Sequence, residues 1–210
     1  PALLNGVSVF RWNTDKRYLI DLQQAGLPIV PTVTADTVFD VRAAADKFGL
    51  AVVKPRVGAH GRGLEVVADG KVWLPREDGH QGPWVVQPLV DSIHHDGETS
   101  VFVIAGRPVS QVQKMPSRRD IRVHEEYGGT SRSVELTEKA ASLAASAVAT
   151  VVDLLGEEIV YARVDMMRYR DQLVVSEVEL TEPGLYLDVL PLNALPFAEA
   201  VAARAYPRTW

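Results

Sequence analysis

The stretch Tyr161–Leu180, YARVDMMRYRDQLVVSEVEL, decides the fold of this 210-residue chain. Two runs rich in valine and methionine flank a polar turn at residues 169–172, a pattern typical of a β-hairpin. If Asp165 pairs with Glu177, strand alternation sorts the remaining side chains onto two faces. The apolar face then carries Ala162, Val164, Met166, Val174, Val178 and Leu180. We therefore expect a hairpin that packs one face against a hydrophobic core.

The opposite face of this hairpin is charged and carries Arg163, Asp165, Glu177 and Glu179. Carboxylates on one sheet face repel one another unless a cation lies between them. Oxygen ligands suit a hard cation, most often Mg²⁺ bound together with nucleotide phosphates. The alternative is a solvated strand face on which Arg163 is the counter-charge. The hairpin alone leaves both interpretations open.

Composition excludes several classes of protein. Hydrophobic residues make up 47% of the chain, enough for a substantial core in one domain or two small lobes. The chain has a net charge of −5 and no run of basic residues, which argues against nucleic acid as a partner. The lack of cysteine excludes thiolate chemistry. No apolar segment approaches the roughly 20 residues that span a bilayer, and no secretory signal pattern is present. We expect a cytoplasmic protein without a membrane partner.

The N-terminal third contains two isolated lysines at suggestive places. Asn13 or Thr14 is predicted to cap a helix that reaches about Ala25, and Lys16 then lies in its first turn, where the helix dipole disfavours a cation. After a predicted helix over 35–48, the apolar strand LAVVKP contains Lys54 at its end. Each lysine is interpreted either as an exposed or snorkelling side chain or as a ligand-binding cation.

A glycine-rich loop follows at residues 56–63, RVGAHGRG. Its glycines permit positive φ, and its successive free N–H groups form an anion-binding nest. The loop is neither a P-loop nor a dinucleotide fingerprint, because no Gly-Lys-Ser/Thr closes it and no helix follows it. It leads instead into a predicted hairpin turning at Asp69-Gly70. We expect a flap over phosphates, with an ordinary flexible hairpin as the alternative.

The second half alternates strands with loops before a long helix. A strand over residues 82–90 is interrupted by Pro88, and a hairpin is predicted over 99–114. The polar loop 115–129 contains Arg122, either a surface charge or a clamp on anionic oxygen. Helices are predicted at 137–155 and at 193–205.

Taken in order, these motifs resemble the ATP-grasp superfamily, particularly glutathione synthetases and ribosomal-protein glutamate ligases. The resemblance covers about Asn13 to Leu187. It implies an α+β fold in which two α+β lobes grip ATP between antiparallel sheets. We expect a small lobe over 1–90 with the phosphate lysines and the flap, and a large lobe over 91–210 with magnesium-binding carboxylates.

The resemblance also implies roles for individual residues that bind the nucleotide. Two lysines match those that reach the phosphates, and the glycine-rich loop matches the mobile loop that covers them. Three hinge residues match those that contact adenine, and one acidic residue matches the ligand of the ribose hydroxyls. The implied nucleotide-binding residues are Lys16, Lys54, Gly58, His60, Gly61, Gly63, Gln87, Pro88, Leu89 and Glu98.

The remaining implied roles are catalytic and metal-binding. Arg122 resembles the arginine that meets the γ-phosphate and an acyl-phosphate intermediate, and Arg163 is assigned to catalysis with it. Asp165, Glu177 and Glu179 match the ligands of magnesium, expected as two ions.

Three departures from the family pattern are visible. Glu179 stands where an asparagine is common, and the extra charge should bind Mg²⁺ no worse. Ser100 stands where an arginine often follows the ribose acid, which leaves the substrate class open. The usual N-terminal domain is absent, so the chain is interpreted as a possible catalytic fragment.

The resemblance implies an ATP-dependent carboxylate–amine ligase that works through an acyl phosphate and yields ADP and phosphate. The expected partners are a small-molecule carboxylate and an amine or amine-like acceptor, with a homo-oligomer possible. Two alternatives remain: a non-catalytic ATP-binding module, as in synapsin-like members, and a specialised-metabolite ligase of the D-cycloserine-forming type.

Overall fold

The computed structural model describes residues 3–68, 73–75, 79 and 81–205. Over these ranges the chain forms two antiparallel sheets with helices packed on them, as the predicted α+β class requires. The turn expected at Asp69-Gly70 lies outside the described residues. Within the same ranges, no helix is both long and apolar enough to cross a bilayer.

The smaller sheet has four strands in the order β1-β4-β2-β3. These are β1 (Val33–Ala35), β2 (Leu50–Pro55), β3 (Glu65–Ala68) and β4 (Trp84–Pro88). Helix α3 (Val38–Phe48) covers it, starting at a capping box between Thr37 and Asp40. The helix begins three residues later than predicted, because Ala35 belongs to β1 and pairs with Trp84.

The larger sheet has five strands in the order β7-β6-β5-β8-β9. These are β5 (Glu98–Ile104), β6 (Arg107–Met115), β7 (Thr130–Val134), β8 (Tyr161–Tyr169) and β9 (Gln172–Glu179). Helix α4 (Glu138–Leu155), capped by Thr137, packs on the apolar face of this sheet. Helix α5 (Ala194–Ala205) closes the described chain. Strand β7 was not predicted, since its residues are mostly polar and exposed.

The hairpin of β8 and β9 confirms the predicted pairing of Asp165 with Glu177. Its turn is Arg170-Asp171, where both residues adopt positive φ. The predicted apolar face is wrong at one position, because Ser176 forms a bulge that shifts the register between Asp165 and Met166. Met166 therefore pairs with Val175, which enters the main core, whereas Val174 lies on the other face.

The predicted N-terminal helix is replaced by two helices, α1 (Val7–Thr14) and α2 (Tyr18–Gln24). Asn13 is not a cap: its buried side-chain amide donates to Val178 O at 2.7 Å, and its Oδ1 accepts from Leu180 N at 2.8 Å. These bonds satisfy the backbone of β9 and fix the end of α1 against it. Lys16 consequently lies in the loop between the helices rather than in a first turn.

Both N-terminal helices pack on the larger sheet, because Val9, Leu19 and Leu22 belong to the core under that sheet. A separate core joins α3 to the smaller sheet. The division into lobes at residue 90 stays a prediction. By their packing, residues among the first 30 belong to the core under the larger sheet.

Candidate functional site

A cavity of about 310 Å³ lies between the two sheets and is lined by residues of both. The end of β2, the glycine-rich loop and the loop between α1 and α2 form one side. The charged face of β5, β6, β8 and β9 forms the other side, together with residues 121–124. A smaller cavity of about 50 Å³ adjoins it and shares Lys54, Leu64, Ile121 and Met167 with it.

Asp165 is the centre of the charged face. Its side chain is almost fully buried, and its oxygens accept from the Ser100 hydroxyl and from Arg163, whose Nη2 lies 2.9 Å from Oδ2. The Lys114 Nζ lies 3.3 Å from Oδ1. Although burial raises the pKa of Asp165, Arg163 and Lys114 outweigh burial and hold that pKa well below its usual range. Asp165 is therefore an anion at neutral pH.

Lys114 was missed by the sequence prediction. Its side chain is only 2% exposed and forms ion pairs with Glu98 and Asp165 while lining the cavity. Burial lowers the pKa of Lys114, but the two carboxylates raise it further, so the ammonium keeps its charge. Strict pairing from the turn at Ala105-Gly106 would place Gln113 opposite Glu98, and a bulge between Phe102 and Val103 shifts the pairing to Lys114. The sequence alone therefore carried no signal for this lysine.

Glu98 lines the cavity and pairs there with Lys114. Its carboxylate is 12% exposed, pairs with Lys114 and accepts from the Ser176 hydroxyl at 3.4 Å. Burial raises the pKa of Glu98, against the effect of Lys114. Its assignment to the ribose hydroxyls stays a prediction, and that role requires Glu98 to exchange one of these partners for the sugar.

Lys16 links the flap to strand β9. Its Nζ lies 2.8 Å from Glu177 Oε1 and donates to Gly58 O at 2.8 Å. Burial lowers the pKa of Lys16, but Glu177 outweighs burial and the pKa rises. Burial likewise raises the pKa of Glu177, and the cations Lys16 and Lys54 reverse the effect. Both groups are charged at neutral pH.

Lys54 sits at the end of β2 and lines both cavities. Burial lowers its pKa, with Lys16 contributing in the same direction against Glu177. No ion pair holds Lys54 among the residues described, so its ammonium is available to an anionic ligand. Lys16 and Lys54 both line the cavity together with residues of the glycine-rich loop, and their assignment to the phosphates stays a prediction.

Arg122 is held in place by its neighbours. Its Nε donates to Asp120 Oδ1 at 2.9 Å, and its guanidinium carbon lies 3.5 Å from the Tyr127 ring centroid. The hydrogen bonds from Arg122 lower the pKa of Asp120 to about 2. Gly61 approaches Arg122 so closely that a Cβ would lie 3.0 Å from Arg122 Cδ. The flap and the arginine loop therefore touch at a position where only glycine fits without displacement.

The rest of the predicted loop is divided between cavity and surface. Gly58, His60 and Gly61 line the cavity, and Gly63 adopts positive φ without lining it. At the hinge, Gln87, Pro88 and Leu89 line the smaller cavity. The Leu89 N–H donates to Leu50 O at 2.8 Å, and the Gln87 amide donates to Thr32, so these donors are already engaged.

Arg163 joins two carboxylates of the predicted metal set. Besides Asp165, its Nη2 donates to Glu179 Oε1. Burial, with the neighbouring anions Asp165 and Glu177, raises the pKa of Glu179 to about 7, although Arg163 opposes the rise. Burial lowers the pKa of Arg163, and the carboxylates reverse this and raise it well above its usual value.

The carboxylates differ in how many of their oxygen atoms are free to bind magnesium. The side chains of Glu177 and Glu179 are 27% and 30% exposed, each with one cationic partner, so both fit a hard cation. Asp165 does not fit as placed, because cations and a hydroxyl occupy its buried oxygens. In the described part of the chain, no three His, Asp or Glu side chains converge on one metal position. The three-residue metal set stays a prediction.

Comparison with known proteins finds a matching family and several relatives. The profile of the family described as prokaryotic glutathione synthetase, ATP-grasp domain, matches residues 18–190. The cycloserine biosynthesis protein DcsG of Streptomyces lavendulae is 31% identical, over 98% of this chain and 74% of that protein. A glutathione synthetase of Prochlorococcus marinus (strain MIT 9313) is 27% identical, over 84% of this chain and 56% of its own length.

Solved structures extend the likeness to three dimensions. The crystal structure of D-cycloserine synthetase DcsG matches with a TM-score of 0.82 and 29% identity, over 97% of this chain and 74% of that chain. A D-alanine–D-alanine ligase from Bacillus anthracis matches with a TM-score of 0.64 at 19% identity, which shows the fold alone. The fold is thus that of ATP-grasp ligases, whose reactions use ATP, and the chain belongs to the prokaryotic glutathione synthetase ATP-grasp family.

Proposed function

We propose that this chain is an ATP-dependent ligase that activates a small-molecule carboxylate as an acyl phosphate and transfers it to an amine or amine-like acceptor. The observation that carries the proposal is the lining of one cavity by six cations and five carboxylates. The cations are Lys16, Lys54, Arg62, Lys114, Arg122 and Arg163, and the carboxylates are Glu98, Asp165, Glu177, Glu179 and Glu182. Such a cavity matches the charge of a triphosphate and of an activated carboxylate.

The cations lie where a triphosphate between the sheets would meet them. Lys16 and Lys54 sit at the flap, and Arg122 extends from the opposite loop. Positive charge fixed in a partly enclosed cavity stabilises the negative charge that phosphoryl transfer redistributes. Mg²⁺, held by Glu177 and Glu179, would neutralise phosphate charge in the same place.

The reaction then needs a carboxylate placed in line with the γ-phosphorus. Its oxygen attacks phosphorus, ADP leaves, and the mixed anhydride is an acyl phosphate. Arg163 and Lys114 present fixed cations on the sheet side, where they can orient the carboxylate and its phosphoryl group. The glycine-rich loop closes the other side and excludes water, which would hydrolyse the intermediate.

A ligase of the D-cycloserine-forming type is the second candidate within this class. The similarity to DcsG over 98% of the chain favours it. Ser100 donates its hydroxyl to Asp165, and the lack of an arginine at this position leaves the substrate class open. A non-catalytic module is disfavoured, since binding alone does not require both Arg122 and the network around Arg163.

The test is phosphate release from Mg·ATP in the presence of pooled amino acids, dipeptides and small carboxylates, with product identified by mass spectrometry. Release should depend on the pool and fall below detection in Glu177→Gln, whose side chain is partly exposed. The matched control is Asp171→Asn in the exposed turn. Nucleotide binding without pool-dependent release would contradict the proposal, provided that a chain extended at the N-terminus behaves the same way.

One coarser expectation belongs with this proposal. We expect the chain to act in the cytoplasm, where ATP is available. Light scattering on the purified chain would establish whether it forms a homo-oligomer.

A further inference from the structure

His124 is a titratable residue of the cavity that has no role in the reaction proposed above. It follows Arg122 in the loop between β6 and β7, and it lines the cavity. Its Nδ1 is buried and has no hydrogen-bond partner in the described structure. Buried side-chain nitrogens are nearly always paired, so an unpaired one beside a ligand cavity points to a missing ligand group.

The surroundings of His124 keep its ring uncharged. Burial lowers its pKa, and the cations Lys114 and Arg163 add to this, together with His60 across the cavity. Asp165 acts in the opposite direction and is outweighed. The centroids of the His60 and His124 rings lie 6.0 Å apart, so His60, which belongs to the glycine-rich loop, is a neighbour of His124.

The charged groups of its own loop do not pair with the ring either. The Arg122 guanidinium is directed to Asp120 and to the face of Tyr127. The Tyr127 ring meets the His124 ring edge to face, with 6.2 Å between centroids. The nitrogen atoms of His124 are thus left for a ligand, whereas each predicted metal carboxylate already accepts from a cation.

Ligation to an amine requires a base, and an uncharged imidazole can act as one. An acceptor amine is largely protonated at neutral pH and has no lone pair for attack until it loses a proton. A general base in an enzyme is a group that is unprotonated at working pH and within reach of that proton. Of the carboxylates that line the cavity, Asp165, Glu177 and Glu179 pair with Arg163 or Lys16, and Glu98 pairs with Lys114, whereas Glu182 is exposed.

We propose that His124 is the base that deprotonates the acceptor amine, an inference that rests on the proposed ligase function. One proton of the ammonium moves to an imidazole nitrogen, and the freed lone pair forms the C–N bond to the acyl carbon. The C–O bond to phosphate breaks with its electrons on phosphate, which takes the second proton of the nitrogen. Amide, hydrogen phosphate and imidazolium result.

The test separates activation of the carboxylate from transfer to the amine. Hydroxylamine is mostly unprotonated at neutral pH, so it traps an acyl phosphate as a hydroxamate without needing a base. The chain is supplied with Mg·ATP, a pool of carboxylates, and either hydroxylamine or the 20 amino acids as acceptors. The ratio of amide to hydroxamate should fall about 10²-fold in His124→Ala and stay unchanged in His95→Ala, an exposed control.

Two further readouts distinguish a base from a structural residue. Added imidazole should restore amide formation to His124→Ala, because it can occupy the vacated space. Amide formation by His124→Gln should rise with pH up to the pKa of the acceptor, whereas the unaltered chain reaches its plateau at lower pH.

Each contrary result has a separate meaning. An unchanged ratio in both His124 variants would overturn the inference while leaving the ligase proposal intact. Hydroxamate without any amide in the unaltered chain would also overturn it, since no acceptor would need deprotonation. Neither product from the unaltered chain would overturn the proposed function and this inference with it.

Discussion

Arg163 and Asp165 lie two residues apart on β8, and the Arg163 guanidinium donates to both oxygens of the Asp165 carboxylate, from Nε at 3.0 Å and from Nη2 at 2.9 Å. The pair is buried, and Lys114 adds a second cation to the same carboxylate. The site thus carries its charge compensation within the protein. A ligand that binds Arg163 or Lys114 in place of Asp165 must therefore supply another cation to the Asp165 carboxylate.

The first prediction concerns Asp165→Asn. Removing one partner of a buried ion pair leaves uncompensated charge, here on Arg163 and Lys114, and typically costs about 3–5 kcal/mol. We expect that loss in the free energy of unfolding, measured by urea denaturation, and loss of turnover. Ser100→Ala removes only a hydroxyl from the same carboxylate and should cost about 1 kcal/mol. Equal stabilities of the two variants would contradict the network described here.

The second prediction concerns Lys16→Met. Its ammonium binds Glu177 and Gly58 O, and a charge-assisted hydrogen bond contributes about 1.5–3 kcal/mol. Loss of one such contact to phosphate or flap should raise the KM for ATP about tenfold or more. Lys139→Met, on the exposed start of α4, is the matched control. An unaltered KM in Lys16→Met would remove this lysine from the nucleotide site.

The third prediction separates backbone strain from contact at the flap. Gly61 and Gly49 both adopt positive φ, but an added Cβ meets Arg122 only at Gly61 and meets nothing within 4 Å at Gly49. Alanine at either position should destabilise the chain by about 1–2 kcal/mol. Gly61→Ala should in addition lower kcat about tenfold, because it displaces Arg122. Equal kcat values in the two variants would show that this contact has no catalytic effect.

The fourth prediction is a pH dependence of stability. The folded chain raises the pKa of Glu179 from the usual carboxyl range to about 7. Between those values the folded state holds a proton that the unfolded state has lost, so stability falls as pH rises from about 4.5 to 7. Without Mg²⁺, Glu179→Gln should therefore raise Tm at pH 8 relative to the unaltered chain, more than at pH 4.5.

The control for the pH prediction is Glu199→Gln on the exposed face of α5. It should leave the difference between the two pH values unchanged. A Glu179→Gln variant whose Tm follows the unaltered chain at both pH values would show that Glu179 titrates as an ordinary surface carboxylate.

Much of the fold was predictable because its long elements carry regular patterns. The hairpin, its pairing of Asp165 with Glu177, and helix α4 follow from alternation, capping and helical period. Helices α1 and α2 were missed because Asn13 has the chemistry of a cap but uses its amide on β9. That use depends on a strand 165 residues away in the chain.

The site was predictable in its residue types and less so in its contacts. The family resemblance indicated Lys16, Lys54 and Arg122, and all three line the cavity. It gave no reason to look at Lys114 or His124, whose importance arises from burial among other charges. Burial of this kind is a tertiary property, and so is the bulge between Phe102 and Val103 that brings Lys114 opposite Glu98.

The bulge at Ser176 adds a residue to the cavity face of β9 without changing which residues of the strand face the core. Without that residue, β9 would alternate strictly, with Val175 and Val178 toward the core and Glu177 and Glu179 toward the cavity. Ser176 is thus an insertion on the cavity side, where its hydroxyl reaches Glu98. A shortened hairpin that omits it would keep its hydrophobic pattern, whereas a deletion between Val178 and Leu180 would exchange the faces. Position 176 is the place where this strand can gain or lose a residue and change the chemistry without changing the architecture.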